Sequence, residues 1–74
     1  MSKKNVKLML MLAEKGSNQR KLAELLGCSY PAIQKKVRGA APFKDFEIAK
    51  IKEHFNLSLA EIEEIFLKGD FDLG

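Results

Sequence analysis

Apolar residues recur at spacings of three and four on both sides of Gly27, which predicts two short amphipathic helices that share one core. The first spans residues 19–26 and the second runs from Ser29 to Arg38. Because glycine tolerates positive φ, Gly27 can end one helix and let the next leave at a steep angle. The inward positions are Leu22, Ala23, Leu25, Leu26, Ile33 and Val37.

The opposite side of the second helix is polar and cationic. It carries Pro31, Gln34, Lys35 and Arg38 at positions i, i+3, i+4 and i+7, which is the spacing of one helix face. This face is suited to a polar, negatively charged partner.

The remaining pattern predicts three more helices and no strand. One runs from about Lys3 to Lys15, with Leu8, Met9, Leu12 and Ala13 inward and Met11 as core filler. A helix capped by Asp45 turns Ile48, Ile51 and Phe55 inward, and Phe43 precedes it as a further core residue. The last begins with a capping box of Ser58 and Glu61 and ends near Leu67. We expect an all-α, five-helix domain over residues 1–67, followed by a C-terminal tail over residues 68–74.

Length and charge narrow the function classes. A chain of 74 residues and 8.3 kDa forms one small domain, and its single cysteine cannot form an internal disulfide. Met1 to Lys44 holds ten Lys/Arg against two Glu, whereas Asp45 to Gly74 holds three Lys against eight Asp/Glu. A basic half of this kind is typical of polyanion binding. The apolar run from Leu8 to Ala13 is too short for a secretion signal or a membrane span, which favours a cytoplasmic protein.

The residues with catalytic or metal-binding chemistry are few. The sequence has a single histidine, His54, no glycine-rich phosphate loop after a strand, and no cluster with metal-ligand spacing. We therefore expect no enzyme, no cofactor and no metal. Because no second domain is visible that could sense an effector, we also expect no small-molecule effector. Cys28 is interpreted as a small buried hydrophobe.

The combination of motif residues resembles the helix-turn-helix proteins of the phage Cro and repressor type, the lambda-repressor-like or XRE family. The resemblance extends from Val6 to Phe66, with the helix-turn-helix at residues 19–38. It rests on Asn18, Gln19, Leu22, Ala23, Leu26, Gly27, Ser29, Ile33 and Gly39.

This resemblance implies a sequence-specific regulator, a Cro-like repressor, that binds a palindromic operator in double-stranded DNA with its second motif helix in the major groove. The family's base-facing positions correspond to Ser29, Tyr30, Pro31, Gln34 and Lys35, although Tyr30 has inward packing as an equal alternative. Phosphate contacts are implied for Asn18, Gln19, Lys36, Arg38 and Lys44.

Proteins of this family commonly bind DNA as homodimers, so the resemblance makes the apolar C-terminal end a candidate dimer interface. Its residues are Phe66, Leu67, Phe71 and Leu73. The alternative is that Phe66 caps the core and the last residues are disordered. A second functional alternative is an antitoxin or adaptor that uses the same fold to bind a protein partner.

Overall fold

The structure is a computed structural model that describes residues 5–68, with side chains described for residues 5–66. Over these residues it contains five helices and no strand, which confirms the all-α prediction. They are α1 (Val6–Glu14), α2 (Gln19–Leu26), α3 (Tyr30–Val37), α4 (Asp45–Phe55) and α5 (Leu59–Ile62). The segment Glu63–Lys68 continues α5 as a π-helical stretch.

One hydrophobic core holds these helices together. Helix α2 packs against α3 and α4, and α1 packs against the π-helical stretch. The side chains of Leu8, Leu22, Ile33 and Ile51 are completely buried, so each of the first four helices contributes an anchor to the centre. The other buried apolar residues are Met11, Leu12, Ala23, Leu26, Val37, Phe55, Leu57, Ile62, Ile65 and Phe66.

Local capping explains where most of the helices begin. The side-chain oxygens of Asn5, Asn18, Ser29 and Ser58 each accept from a backbone N–H in the first turn of the helix that follows. The predicted capping box is present, because the Glu61 carboxylate accepts from the Ser58 N–H at 2.8 Å and Ser58 Oγ accepts from the Glu61 N–H at 3.1 Å. Each cap satisfies an N–H that lacks an intrahelical partner.

The structure corrects the predicted start of α1. Helix α1 begins at Val6 rather than near Lys3, because Asn5 has non-helical backbone angles (φ −85°, ψ 84°) and acts as the cap. The inward positions of α1 agree at Leu8, Met11 and Leu12, which are buried, and differ at Met9, which is half-buried, and Ala13, which is exposed.

The start of α4 is also corrected. Asp45 is the first residue of α4 and Lys44 is the cap, since the Lys44 N–H donates to the Glu47 carboxylate at 2.8 Å. Further along α4, Ile48 is half-buried rather than fully inward.

Candidate nucleic-acid interface

The segment from Asn18 to Val37 folds as two short helices joined by a tight turn. Gly27 has φ +72° and ψ 31°, the left-handed conformation that ends α2. Beyond it, the Cys28 N–H donates to the Ala23 carbonyl at 3.0 Å, and Ser29 caps α3. Cys28 is half-buried and packs against the core, in agreement with its interpretation as a small apolar residue. The turn therefore fixes how α3 is presented.

Helix α3 divides into a buried side and an exposed side. Ile33 and Val37 are 0% and 2% exposed, which anchors one side to the core. On the other side Pro31, Lys35 and Arg38 are exposed and Gln34 is half-buried. We call this surface the α3 face and define it as Ser29, Pro31, Gln34, Lys35 and Arg38. Lys35 is accessible to a partner, and Gln34 remains partly accessible.

Lys36 does not belong to that face. Its ammonium donates to the Glu47 carboxylate at 2.5 Å, and the two side chains are only 12% and 5% exposed. The Lys36 ammonium also lies 5.9 Å from the centre of the Phe43 ring. In this structure the Lys36 ammonium, expected to contact phosphate, is instead turned inward, where it balances a buried carboxylate.

The Glu47 carboxylate is ionised in this setting. Burial raises its pKa, but hydrogen bonds from the Lys36 ammonium and the Lys44 backbone N–H, together with the charges of both lysines, lower it further than burial raises it. The net result is a pKa below the usual glutamate value. Lys36 and Glu47 are thus a structural ion pair at the junction of α3 and α4.

The other residues expected to contact phosphate remain accessible. Asn18 and Lys44 are exposed and Gln19 is half-buried. The Asn18 side-chain oxygen accepts from the Lys21 N–H at 2.9 Å, so the cap of α2 uses that atom.

Ser29, expected to contact a base, caps α3. Its Oγ accepts from the Ala32 N–H at 3.2 Å, which leaves its hydroxyl proton for another acceptor.

A cation–π contact that the sequence did not suggest lies beside the α3 face. The guanidinium carbon of Arg20, in the first turn of α2, is 4.5 Å from the centre of the Tyr30 ring, at the start of α3. Together with Asn18 and Gln19 these residues line an open cleft of about 260 Å³. The two residues are ten positions apart and lie in different helices. The spacing of residues within a single helix therefore does not predict this contact.

Of the four residues expected at a dimer interface, only Phe66 has a described side chain. Phe66 is 6% exposed, and its ring packs edge-to-face on Phe43 with centroids 5.2 Å apart. This is the core-capping alternative, and it removes Phe66 from the surface available to a second copy. Phe71 and Leu73 lie outside the described residues, and only the backbone of Leu67 is described.

From residue 5 to residue 66, no three His, Cys, Asp or Glu side chains are grouped so that they could hold a metal ion. No helix within the described residues has the length and apolar character needed to cross a bilayer.

Comparisons of the chain with protein-family models, with curated proteins and with solved structures found no match.

Proposed function

We propose that this protein is a sequence-specific DNA-binding transcriptional regulator of the helix-turn-helix kind, acting as a Cro-like repressor that inserts α3 into the major groove. The observation that carries the proposal is the division of α3 into a buried apolar side and an exposed polar side. A helix held by Ile33 and Val37 presents Gln34, Lys35 and Arg38 on a rigid support.

The chemistry of the α3 face matches the edges of base pairs. A glutamine amide pairs with the N6 and N7 atoms of adenine, and a lysine ammonium with the O6 and N7 atoms of guanine. In this proposal Gln34 and Lys35 read bases, Ser29 adds a hydroxyl contact, and Pro31 contributes an apolar contact.

The surrounding charge favours a polyanion. Exposed cations on α2, α3 and the following connection are Arg20, Lys21, Lys35, Arg38 and Lys44. Residues 1–44 contain only Glu14 and Glu24 as acidic side chains. In the proposed complex Arg38 and Lys44 bind phosphate, with Asn18 and Gln19 at the start of α2, and they set the position of α3 without reading sequence.

A single short helix reads few base pairs, so the proposal includes two copies on a palindromic site. Half-sites would then lie one helical turn apart, about 34 Å.

Selection of binding sites from a pool of random duplexes tests the proposal directly. We expect a recovered consensus with two symmetric half-sites, and an affinity that falls steeply as salt is added because counterions are released. Gln34→Ala should relax the preference at one base position, whereas Lys44→Ala should weaken all sequences alike.

No enrichment, combined with salt-insensitive binding to duplex DNA, would overturn the proposal. That result would leave an antitoxin or adaptor that binds a protein partner as the better explanation.

A further inference from the structure

We propose that Arg20 binds a DNA phosphate and that Tyr30 is its positioning residue rather than a base contact. This inference rests on the proposed function and names two residues whose combined role the α3 face does not explain. The observation behind it is the cation–π contact in which the Arg20 guanidinium carbon lies 4.5 Å from the centre of the Tyr30 ring.

The Tyr30 ring holds the guanidinium through its positive charge. A cation–π contact of this kind leaves guanidinium N–H groups able to donate to another partner. Within the described residues no carboxylate pairs with Arg20, and its side chain is exposed. The N–H edge of Arg20 is therefore available to a ligand.

The shape of that edge selects the ligand. Two parallel N–H groups match the two oxygens of a phosphate or carboxylate, and bidentate pairing makes such contacts strong and directional. The cleft around Arg20 is lined by Asn18, Gln19, Arg20 and Tyr30, so it contains amide, hydroxyl and guanidinium groups and no acidic side chain. These groups favour an anion over a cation or an apolar ligand.

The place of the cleft favours phosphate over a base. Arg20 belongs to α2, whereas the α3 face is formed by residues after Gly27. If α3 occupies the groove, α2 crosses its mouth, where the backbone phosphates of the duplex lie. Tyr30 then contributes its ring as a platform, and its half-buried side chain suits that role.

The pairing also limits the entropy that Arg20 loses on binding. A free arginine side chain gives up rotamer freedom when it is immobilised on a ligand. Because the Tyr30 ring already restrains the guanidinium, part of that cost is met when the protein folds. A lysine on the same ring would keep the charge but lose the planar fork.

The experiment measures binding of a short random-sequence duplex by fluorescence anisotropy over a series of salt concentrations. The variants are Arg20→Ala, Arg20→Lys, Tyr30→Phe and Tyr30→Leu. The matched control is Lys21→Ala, which removes the same charge from the next residue of α2, outside the cleft. Thermal unfolding of each variant checks that the fold is retained.

We expect Arg20→Ala to weaken binding about tenfold and to lower the slope of log K against log salt by about 0.9, the value for one lost phosphate contact. Tyr30→Phe keeps the ring and should bind within about twofold of the unmodified protein, since the cation–π contact is retained. Tyr30→Leu should weaken binding, and adding it to Arg20→Ala should produce no further loss, because the two side chains act as a unit.

A second measurement uses the chain's own chromophore. Tyr30 is the single tyrosine and there is no tryptophan, so intrinsic emission reports on the cleft alone. Adding the duplex should change this emission in the unmodified protein, and the change should be smaller in Arg20→Ala.

Two results would overturn the inference while leaving the proposed function in place. One is that Arg20→Ala affects binding no more than Lys21→Ala. The other is that Tyr30→Leu, tested by selection from the pool of random duplexes, changes the preferred base at a single position, which would make Tyr30 a direct base contact. Absence of any salt-dependent binding by the unmodified protein would instead overturn the proposed function, and the inference with it.

Discussion

The carboxylate of Glu47 joins Lys36 in α3 to the first turn of α4. One of its oxygens accepts from the Lys36 ammonium and the other accepts from the Lys44 N–H at 2.8 Å. The Lys36 ammonium also lies over the Phe43 ring, which packs against Phe66. A single buried carboxylate thus connects the end of α3 to the start of α4.

Removing one partner of this pair should destabilise the protein strongly. Glu47→Gln leaves the Lys36 ammonium without a counter-charge in a site where it is 12% exposed. We expect a loss of about 3 kcal/mol in the free energy of unfolding, measured by urea denaturation. The double replacement Lys36→Met with Glu47→Leu should recover most of that loss, because no charge remains buried. A single-variant loss below about 1 kcal/mol would show that the pair is solvated.

Acid should weaken the fold through the same carboxylate. A lowered pKa in the folded state means that Glu47 stabilises the protein at pH values above the usual glutamate pKa of 4.5. This contribution is lost as the pH falls from about 5 through the lowered pKa, because over that range the unfolded state binds a proton that the folded state does not.

The control is Glu47→Gln. The free energy of unfolding of this variant should fall less steeply between about pH 5 and pH 3 than that of the unmodified protein. Glu61 remains in that variant. Hydrogen bonds from Ser58 lower the pKa of Glu61, so a residual acid dependence is expected. If the free energy of unfolding falls equally steeply with pH in both proteins, Glu47 does not have the role given to it here.

Asn5 links the two ends of the described chain through three hydrogen bonds. Its N–H donates to the Val37 carbonyl at 2.8 Å, its side-chain oxygen caps α1, and its side-chain amide donates to the Ile65 carbonyl at 2.8 Å. Asn5→Ala removes the cap and the contact with Ile65, so we expect a loss of about 2–3 kcal/mol in urea unfolding.

Asn5→Ser separates the two contributions of that side chain. Serine can still cap α1 but cannot donate to the Ile65 carbonyl, so its loss should be about 1 kcal/mol smaller than that of alanine. Equal losses for the two variants would show that the cap contributes nothing.

Local rules predicted much of this fold. The turn at Gly27, the capping box of Ser58 and Glu61, and the inward stripe of α3 all follow from spacings within one or two helix turns. The roles of Asn5 and Lys36 do not, because their partners Ile65 and Glu47 lie 60 and 11 residues away. One signal was available for Lys36: it stands three residues after Ile33, on the side of α3 that faces the core.

Gly27 should be intolerant of a side chain for reasons of backbone strain alone. Its φ is +72°, and a Cβ added there would meet no atom within 4 Å. Gly27→Ala should therefore cost about 1–2 kcal/mol, the penalty of left-handed backbone for a residue with a Cβ. Gly27→Asn should cost less, since asparagine adopts this conformation more readily. A loss near zero in thermal unfolding of Gly27→Ala would mean that the turn relaxes to another geometry.

Lys35 and Lys36 are neighbours in α3 with opposite expected roles, which makes them a matched pair for the proposed DNA interface. Lys35 is exposed on the α3 face, whereas Lys36 is paired with Glu47. Lys35→Ala should reduce affinity for a selected DNA site by about 1–3 kcal/mol and leave thermal unfolding unchanged. Lys36→Ala should lower the unfolding temperature by several degrees, because it leaves the buried Glu47 carboxylate without its counter-charge.

The DNA-binding comparison is made at a temperature where both variants are folded. Lys36→Ala should then keep the salt dependence of DNA binding, since the Lys36 ammonium that it removes contacts no phosphate. If Lys36→Ala lowers the salt slope as much as Lys44→Ala does, Lys36 leaves Glu47 when DNA binds and the division of α3 into two sides is wrong.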